Sequence, residues 1–199
     1  MRAQGLARWF PALVGAVAAQ RIAELFWSRG QMRRQARRGG HVVREPEYAA
    51  MVAVHAGVLL AAPLESRWRR ARFGVSSALA LGALTGAQLL RGWVLKTMGD
   101  AWSTRITRFD GGARRVVSAG PYRYVRHPNY LAVIVEMAAL PLVGGAWTTA
   151  LVASLANAWV LARRIVLEER VLMRDRRWRA RMLDKPRLLP RLRPTHVQP

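Results

Sequence analysis

The stretch GPYRYVRHPNYL, Gly120 to Leu131, packs arginine, tyrosine, histidine and asparagine between two proline punctuation marks, then runs straight into an apolar segment. That mixture suits a polar ligand held at the edge of a bilayer. Cationic and amide groups can hold anionic or hydroxyl oxygens, and aromatic faces can stabilise a cation. Pro121 and Pro128 fix φ at their own positions and bias Gly120 and His127 toward extended geometry. Pro128 also fits the first turn of the next helix. His127 then lies near a helix start, where free N–H groups favour an anion. A juxtamembrane anchor, with arginines at phosphates and tyrosines in the interfacial belt, accounts for the stretch about equally well.

A second group lies in NAWVLARRIVLEER. Asn157, Arg164 and Glu168 are spaced by seven and four residues, so they share one helical face, and Glu169 points to the adjoining one. Arg164 and Glu168 alone make an ordinary helix-end ion pair. Asn157 argues for more, because a mid-span amide needs a polar partner inside a bundle. A third group consists of isolated polar residues in apolar runs. Arg21 and Glu24 have the spacing of a local pair, and His55 reads as a satisfied interhelical hydrogen bond. Glu136 must be protonated or meet an arginine. No phosphate loop, zinc-ligand spacing or nucleophile elbow is present, so no metal is expected. The absence of cysteine excludes disulfides and thiolate ligands.

The elements that must position these groups are membrane helices. The 199 residues are 52% hydrophobic, yet Lys and Arg outnumber Asp and Glu by 33 to 11, for a net charge of +22. Arginine clusters at Arg29–Arg44, Arg67–Arg72, Arg105–Arg126 and Arg163–Arg193 alternate with apolar runs, the pattern of a polytopic membrane protein. The expected spans are Trp9–Trp27, Tyr48–Leu64, Phe73–Leu95, Tyr130–Val143 and Ala146–Val166. Arg21 and Glu24 interrupt the first, which does not resemble a cleaved leader. The last two form a hairpin around Gly144-Gly145, its first arm short for a span. A polar loop of roughly thirty residues precedes them, a length usual for functional segments. From Leu167 the tail reads as a basic amphipathic helix broken at Pro186. The fold class is thus all-α: a polytopic bundle of about five transmembrane helices in one domain, 1–199. Residues 1–95 supply three membrane helices, and 96–199 the loop, hairpin and basic tail. The positive-inside rule puts the tail, the long loop and Arg29–Arg44 in the cytoplasm. The Arg67–Arg72 cluster fits that topology poorly.

GPYRYVRHPNYL followed by RIVLEERVL resembles the isoprenylcysteine carboxyl methyltransferase family, integral membrane enzymes that use S-adenosyl-L-methionine. TMGDAWSTRI resembles the family's segment before the cofactor loop, and RIAELFWSR and YAAMVAVH resemble the first two helices of its bacterial branch. The resemblance implies that Gly120, Pro121, Tyr122, His127, Pro128, Asn129, Tyr130, Glu168 and Glu169 surround the cofactor. NADPH-dependent sterol and steroid reductases carry a similar RHPNY segment, often with an acidic residue where this chain has Val133. A membrane reductase is the alternative enzyme, and a non-catalytic membrane scaffold the alternative without chemistry. A soluble nucleic-acid binder does not fit the apolar runs.

Methyl transfer from a sulfonium is an in-line displacement that chiefly demands alignment. A carboxylate acceptor needs no base and is oriented by arginine. A phenolic or enolic hydroxyl, with a phenol pKa near 10, gains from a base or a cation. Arg164, Arg126 and Arg105 are the candidate orienting residues, and Glu169 and His127 the candidate bases. The residues leave the assignment among them open. The expected acceptor is lipophilic, its head meeting the cofactor at the cytoplasmic face and its chain lying between helices. The resemblance favours a polyketide lipid such as an alkylresorcinol or alkylpyrone over a prenylcysteine. Membrane lipids are the other expected partners.

Overall fold

The computed structural model describes residues 3–109 and 115–190, with side chains from Trp9 onward. Arg114, Arg191 and Arg193 of the expected basic clusters lie outside the described residues. Five long helices run α1 (Ala3–Arg37), α2 (Tyr48–Trp68), α3 (Val75–Met98), α4 (Pro128–Val143) and α5 (Trp147–Leu172), followed by the short α6 (Arg176–Met182). Three of them, α2, α3 with its 3₁₀ extension to Ala101, and α5, are long and apolar enough to cross a membrane. Their outward residues, among them Leu60, Leu79, Leu89, Leu151 and Leu155, form exposed apolar faces of the kind lipid covers.

α4 is a different case. Its 16 residues are short for a span, and Ala132, Met137, Leu140 and Val143 are buried against α3 and α5. Surrounding protein, rather than lipid, shields it. α1 owes its weaker apolar character to Gln20, Arg21 and Glu24, and these tie it to its neighbours in the bundle. Arg91 of α3 donates to Glu24 (Nε–Oε1 2.8 Å), and Arg21 reaches both Glu24 (2.6 Å) and Glu136 of α4. Gln20 links Glu24 to Gln88 of α3 at 3.1 and 3.0 Å. The local Arg21–Glu24 pair of the sequence reading is therefore part of a network across three helices. Two guanidiniums matched by two carboxylates are what make charge tolerable at such depth.

The long loop is tethered rather than free. It carries a short strand, β2 (Thr107–Phe109), that pairs antiparallel with β1 (Gly40–Val42), with His41 opposite Arg108. Among the described residues this small sheet is the one departure from an all-helical description. Ser28 of α1 accepts from the Thr104 N–H at 2.8 Å, and Gln35 donates to the Asp100 carbonyl at 3.0 Å. The tail also differs from expectation. α5 continues through Leu172, and Asp175 then starts a separate helix by accepting from the Arg177 N–H at 2.8 Å. α6 buries Trp178 and Met182, an i,i+4 face packed with Val94, Tyr122 and Leu172.

At the opposite end, Glu65 of α2 caps α5. Its carboxylate accepts from the N–H groups of Thr148 (3.0 Å) and Thr149 (2.7 Å), where a helix N-terminus favours negative charge. Arg69 braces it at 2.7 Å and also donates to the Thr148 hydroxyl. This assigns a structural task to one arginine of the Arg67–Arg72 cluster. The Gly144-Gly145 turn lies here too: Gly145 has φ +66°, and a Cβ on Gly144 would overlap the buried Phe10 ring. Gly144→Ala should therefore destabilise the fold by about 1–3 kcal/mol. Chemical denaturation in detergent micelles checks this, with Gly15→Ala, a site with open space around it, as the control.

Candidate functional site

The ends of α1, α3 and α5 and the starts of α2 and α4 meet on one side of the bundle, where the loop and tail cover them. Arg164 of α5 is the hub. It is buried, and its Nε donates to the Tyr130 hydroxyl of α4 at 2.9 Å. Nη2 donates to the Thr104 carbonyl of the loop at 2.6 Å, and Nη1 lies 2.7 Å from Glu45 and 3.4 Å from the Met51 sulfur. The Tyr130 hydroxyl in turn donates to Glu168. Glu45, just before α2, also accepts from Arg105 (3.0 Å) and from the Ile106 N–H (2.8 Å). Arg105 stacks over Tyr48 at 4.1 Å. One guanidinium and one carboxylate thus join α2, α4, α5 and the loop.

A second cluster stands beside it. Glu169, 2% exposed, meets His127 Nε2 at 3.1 Å, Arg126 at 3.2 Å and Arg187 at 2.8 Å. The His127 ring stacks on Tyr130 with centroids 5.3 Å apart. The start of α4 is not left free for an anion at Arg126 and His127. Their backbone N–H groups donate to the carbonyls of Pro186 and Arg187, each at 2.9 Å. Lys185 anchors the same returning segment by donating to the Tyr122 carbonyl at 2.7 Å. Burial and the nearby charge of Arg123 hold this lysine below its ordinary pKa.

Between these clusters and the membrane helices lies a cavity of about 390 Å³, within the usual range for ligand pockets. Tyr122, Arg126, His127, Asn129, Tyr130, Arg164, Glu168 and Arg105 all line it. Glu169 does not; it stands behind the wall and holds His127, Arg126 and the tail in place. Gly120, Pro121 and Pro128 act through the backbone. Gly120 has φ +56°, and a Cβ there would come within 2.5 Å of the Thr97 hydroxyl. Pro128 occupies the first helical turn, where its missing N–H costs nothing. Asn157 is buried on the α5 face that carries Arg164 but lies outside the cavity lining.

Sequence reading missed Glu45, Thr104, Met51 and Arg187. Only Glu45 left a trace: it and Glu47, in REPEY, are the first acids after a long run of arginines. Among the described residues His55 forms no interhelical bond; its Nδ1 lies 2.8 Å from the Met51 carbonyl of its own helix.

Two comparisons place this geometry among known proteins. A description of the isoprenylcysteine carboxyl methyltransferase (ICMT) family matches residues 78–174. That stretch runs from α3 through α5 and takes in His127, Asn129, Tyr130, Arg164 and Glu168. The uncharacterized protein YpbQ of Bacillus subtilis is 29% identical over 168 residues, spanning 80% of this chain and 94% of its own length. The motifs that wall the cavity are those of the matched stretch, and over that stretch the chain is similar to the isoprenylcysteine carboxyl methyltransferase family.

Proposed function

We propose that the protein transfers a methyl group from S-adenosyl-L-methionine to an oxygen of a lipophilic acceptor at the membrane–cytosol boundary. The family implies a membrane methyltransferase. One observation carries the finer reading: a single cavity joins a polar, aromatic end to an apolar end between α1 and α2, lined by Ile22, Leu25, Val52 and Leu59. A water-soluble group and a lipid chain can share such a space from opposite ends. The side bearing the loop and tail carries most of the basic residues outside the helices, which supports placing it in the cytosol.

The polar end suits the cofactor. Asn129 Oδ1 is buried without a hydrogen-bond partner among the described residues, an acceptor waiting for an amine or hydroxyl. The side chain of Glu168 is partly exposed and can accept from an amino group in addition to Tyr130. Tyr122, Tyr130, Trp102 and Trp178 offer aromatic faces to a cation. When bound, the sulfonium supplies an activated methyl group, and the remaining demand is alignment. Arg164 meets that demand by fixing Tyr130 and the Thr104 backbone at once. Arg126 and Arg105 line the same space, but each is already paired with a carboxylate.

The acceptor classes are a polyketide lipid hydroxyl or a prenylcysteine carboxylate. Calorimetric titration of the detergent-purified protein with S-adenosylhomocysteine, and in parallel with NADPH, tests the reading. Binding of the homocysteine derivative alone is expected, and binding of NADPH alone overturns it in favour of a reductase. Asn129→Ala should weaken S-adenosylhomocysteine by about tenfold, the value of one buried hydrogen bond. Unchanged affinity in that variant removes Asn129 from the cofactor site.

A further inference from the structure

The cavity continues one helical turn deeper than the Arg164 hub, where α2 presents His55. Its Nδ1 faces the Met51 carbonyl, which can only accept, so Nδ1 carries the ring proton. In the neutral ring Nε2 is then a bare acceptor, and it has no hydrogen-bond partner among the described residues. Arg91 supplies the complement at the same end. It is 6% exposed, Glu24 takes its Nε and Nη2, and its Nη1 is a buried donor without a partner among the described residues.

Charge narrows the occupant. Arg21 and Arg91 are matched by Glu24 and Glu136, so this end of the cavity carries no surplus cation. A carboxylate head would bring an uncompensated charge into a low-dielectric space. A neutral hydroxyl needs only an acceptor for its proton and a donor for a second oxygen. The two bases that sequence offers are engaged elsewhere, since Glu169 holds Arg126, Arg187 and His127, and His127 Nε2 is turned to Glu169.

We propose that His55 Nε2 is the general base for a lipid phenol or enol acceptor, with Arg91 Nη1 donating to a second oxygen of the same head. The inference rests on the methyl-transfer reading and selects the hydroxyl class within it. The acceptor O–H bond breaks and its proton passes to Nε2, while the oxygen pair forms the new O–CH₃ bond. The S–CH₃ bond breaks with its electron pair left on sulfur, giving a neutral thioether. The imidazolium then yields its proton to water as product leaves.

The test uses long-chain alkylphenols, their methyl ethers, and nitro-substituted counterparts already ionised at the assay pH. Without cofactor, His55→Phe should bind the alkylphenol about fivefold more weakly and the methyl ether, which cannot donate, unchanged. His55→Gln should methylate the neutral phenol about a hundredfold more slowly, yet methylate the ionised phenol near the wild-type rate. Unaltered S-adenosylhomocysteine affinity in both variants establishes that the site is intact. Wild-type rates of His55→Gln on neutral phenols, or an equal loss on ionised ones, overturn the assignment. So does a wild-type protein that methylates prenylcysteine and no phenol. A wild-type protein that binds no S-adenosylhomocysteine overturns the methyl-transfer reading itself, and this inference with it.

Discussion

A buried guanidinium must find partners for its charge and for its N–H groups, and the way Arg164 does so decides the shape of the site. Removing such an ion from water costs several kcal/mol, recovered only with good geometry and full hydrogen bonding. Arg164 reaches a carboxylate before α2, a carbonyl in the loop and a hydroxyl on α4. None of these can move independently without leaving part of the charge unanswered. The loop from Asp100 to Ile106 is therefore ordered by electrostatics more than by apolar packing. Only Trp102 and Ile106 are buried in it as hydrophobic anchors.

The bundle answers the same problem twice. Arg164 solves it near the polar face, and the Arg21–Glu24–Arg91–Glu136 network solves it further in. Between the two, the cavity passes from a wall of charged groups committed to one another to a region where an imidazole nitrogen and a guanidinium nitrogen have no partner among the described residues. That contrast separates scaffolding from recognition. Groups whose bonds are satisfied by protein hold geometry, and groups with spare capacity are available to something else.

Much of this was legible from the residues because it is local. Apolar runs gave the five long helices, Gly144-Gly145 gave the hairpin turn, and the Pro128 signal placed the start of α4. The seven-and-four spacing put Asn157, Arg164 and Glu168 on one face, and all three lie there. What was illegible depends on partners far apart in the chain. Glu45 meets Arg164, and Arg21 meets Glu136, only after helices pack, and nothing in either neighbourhood announces it. The tail failed for a local reason instead. Asp175 is a good N-cap in the middle of an apparently continuous basic helix, and its competition with the backbone splits that helix in two.

The hydrogen bonds from Arg126 and His127 to the carbonyls of Pro186 and Arg187 have a consequence for how the protein is made. During synthesis α4 reaches the membrane well before the segment that completes its first turn. Until that later stretch emerges, two backbone donors at the mouth of the cavity lack their protein acceptors, and Glu169 lacks Arg187. The helices can insert and pack in this interval, but the polar mouth is assembled last. Maturation of the protein thus has an order written into it: membrane insertion first, competence of the pocket afterwards.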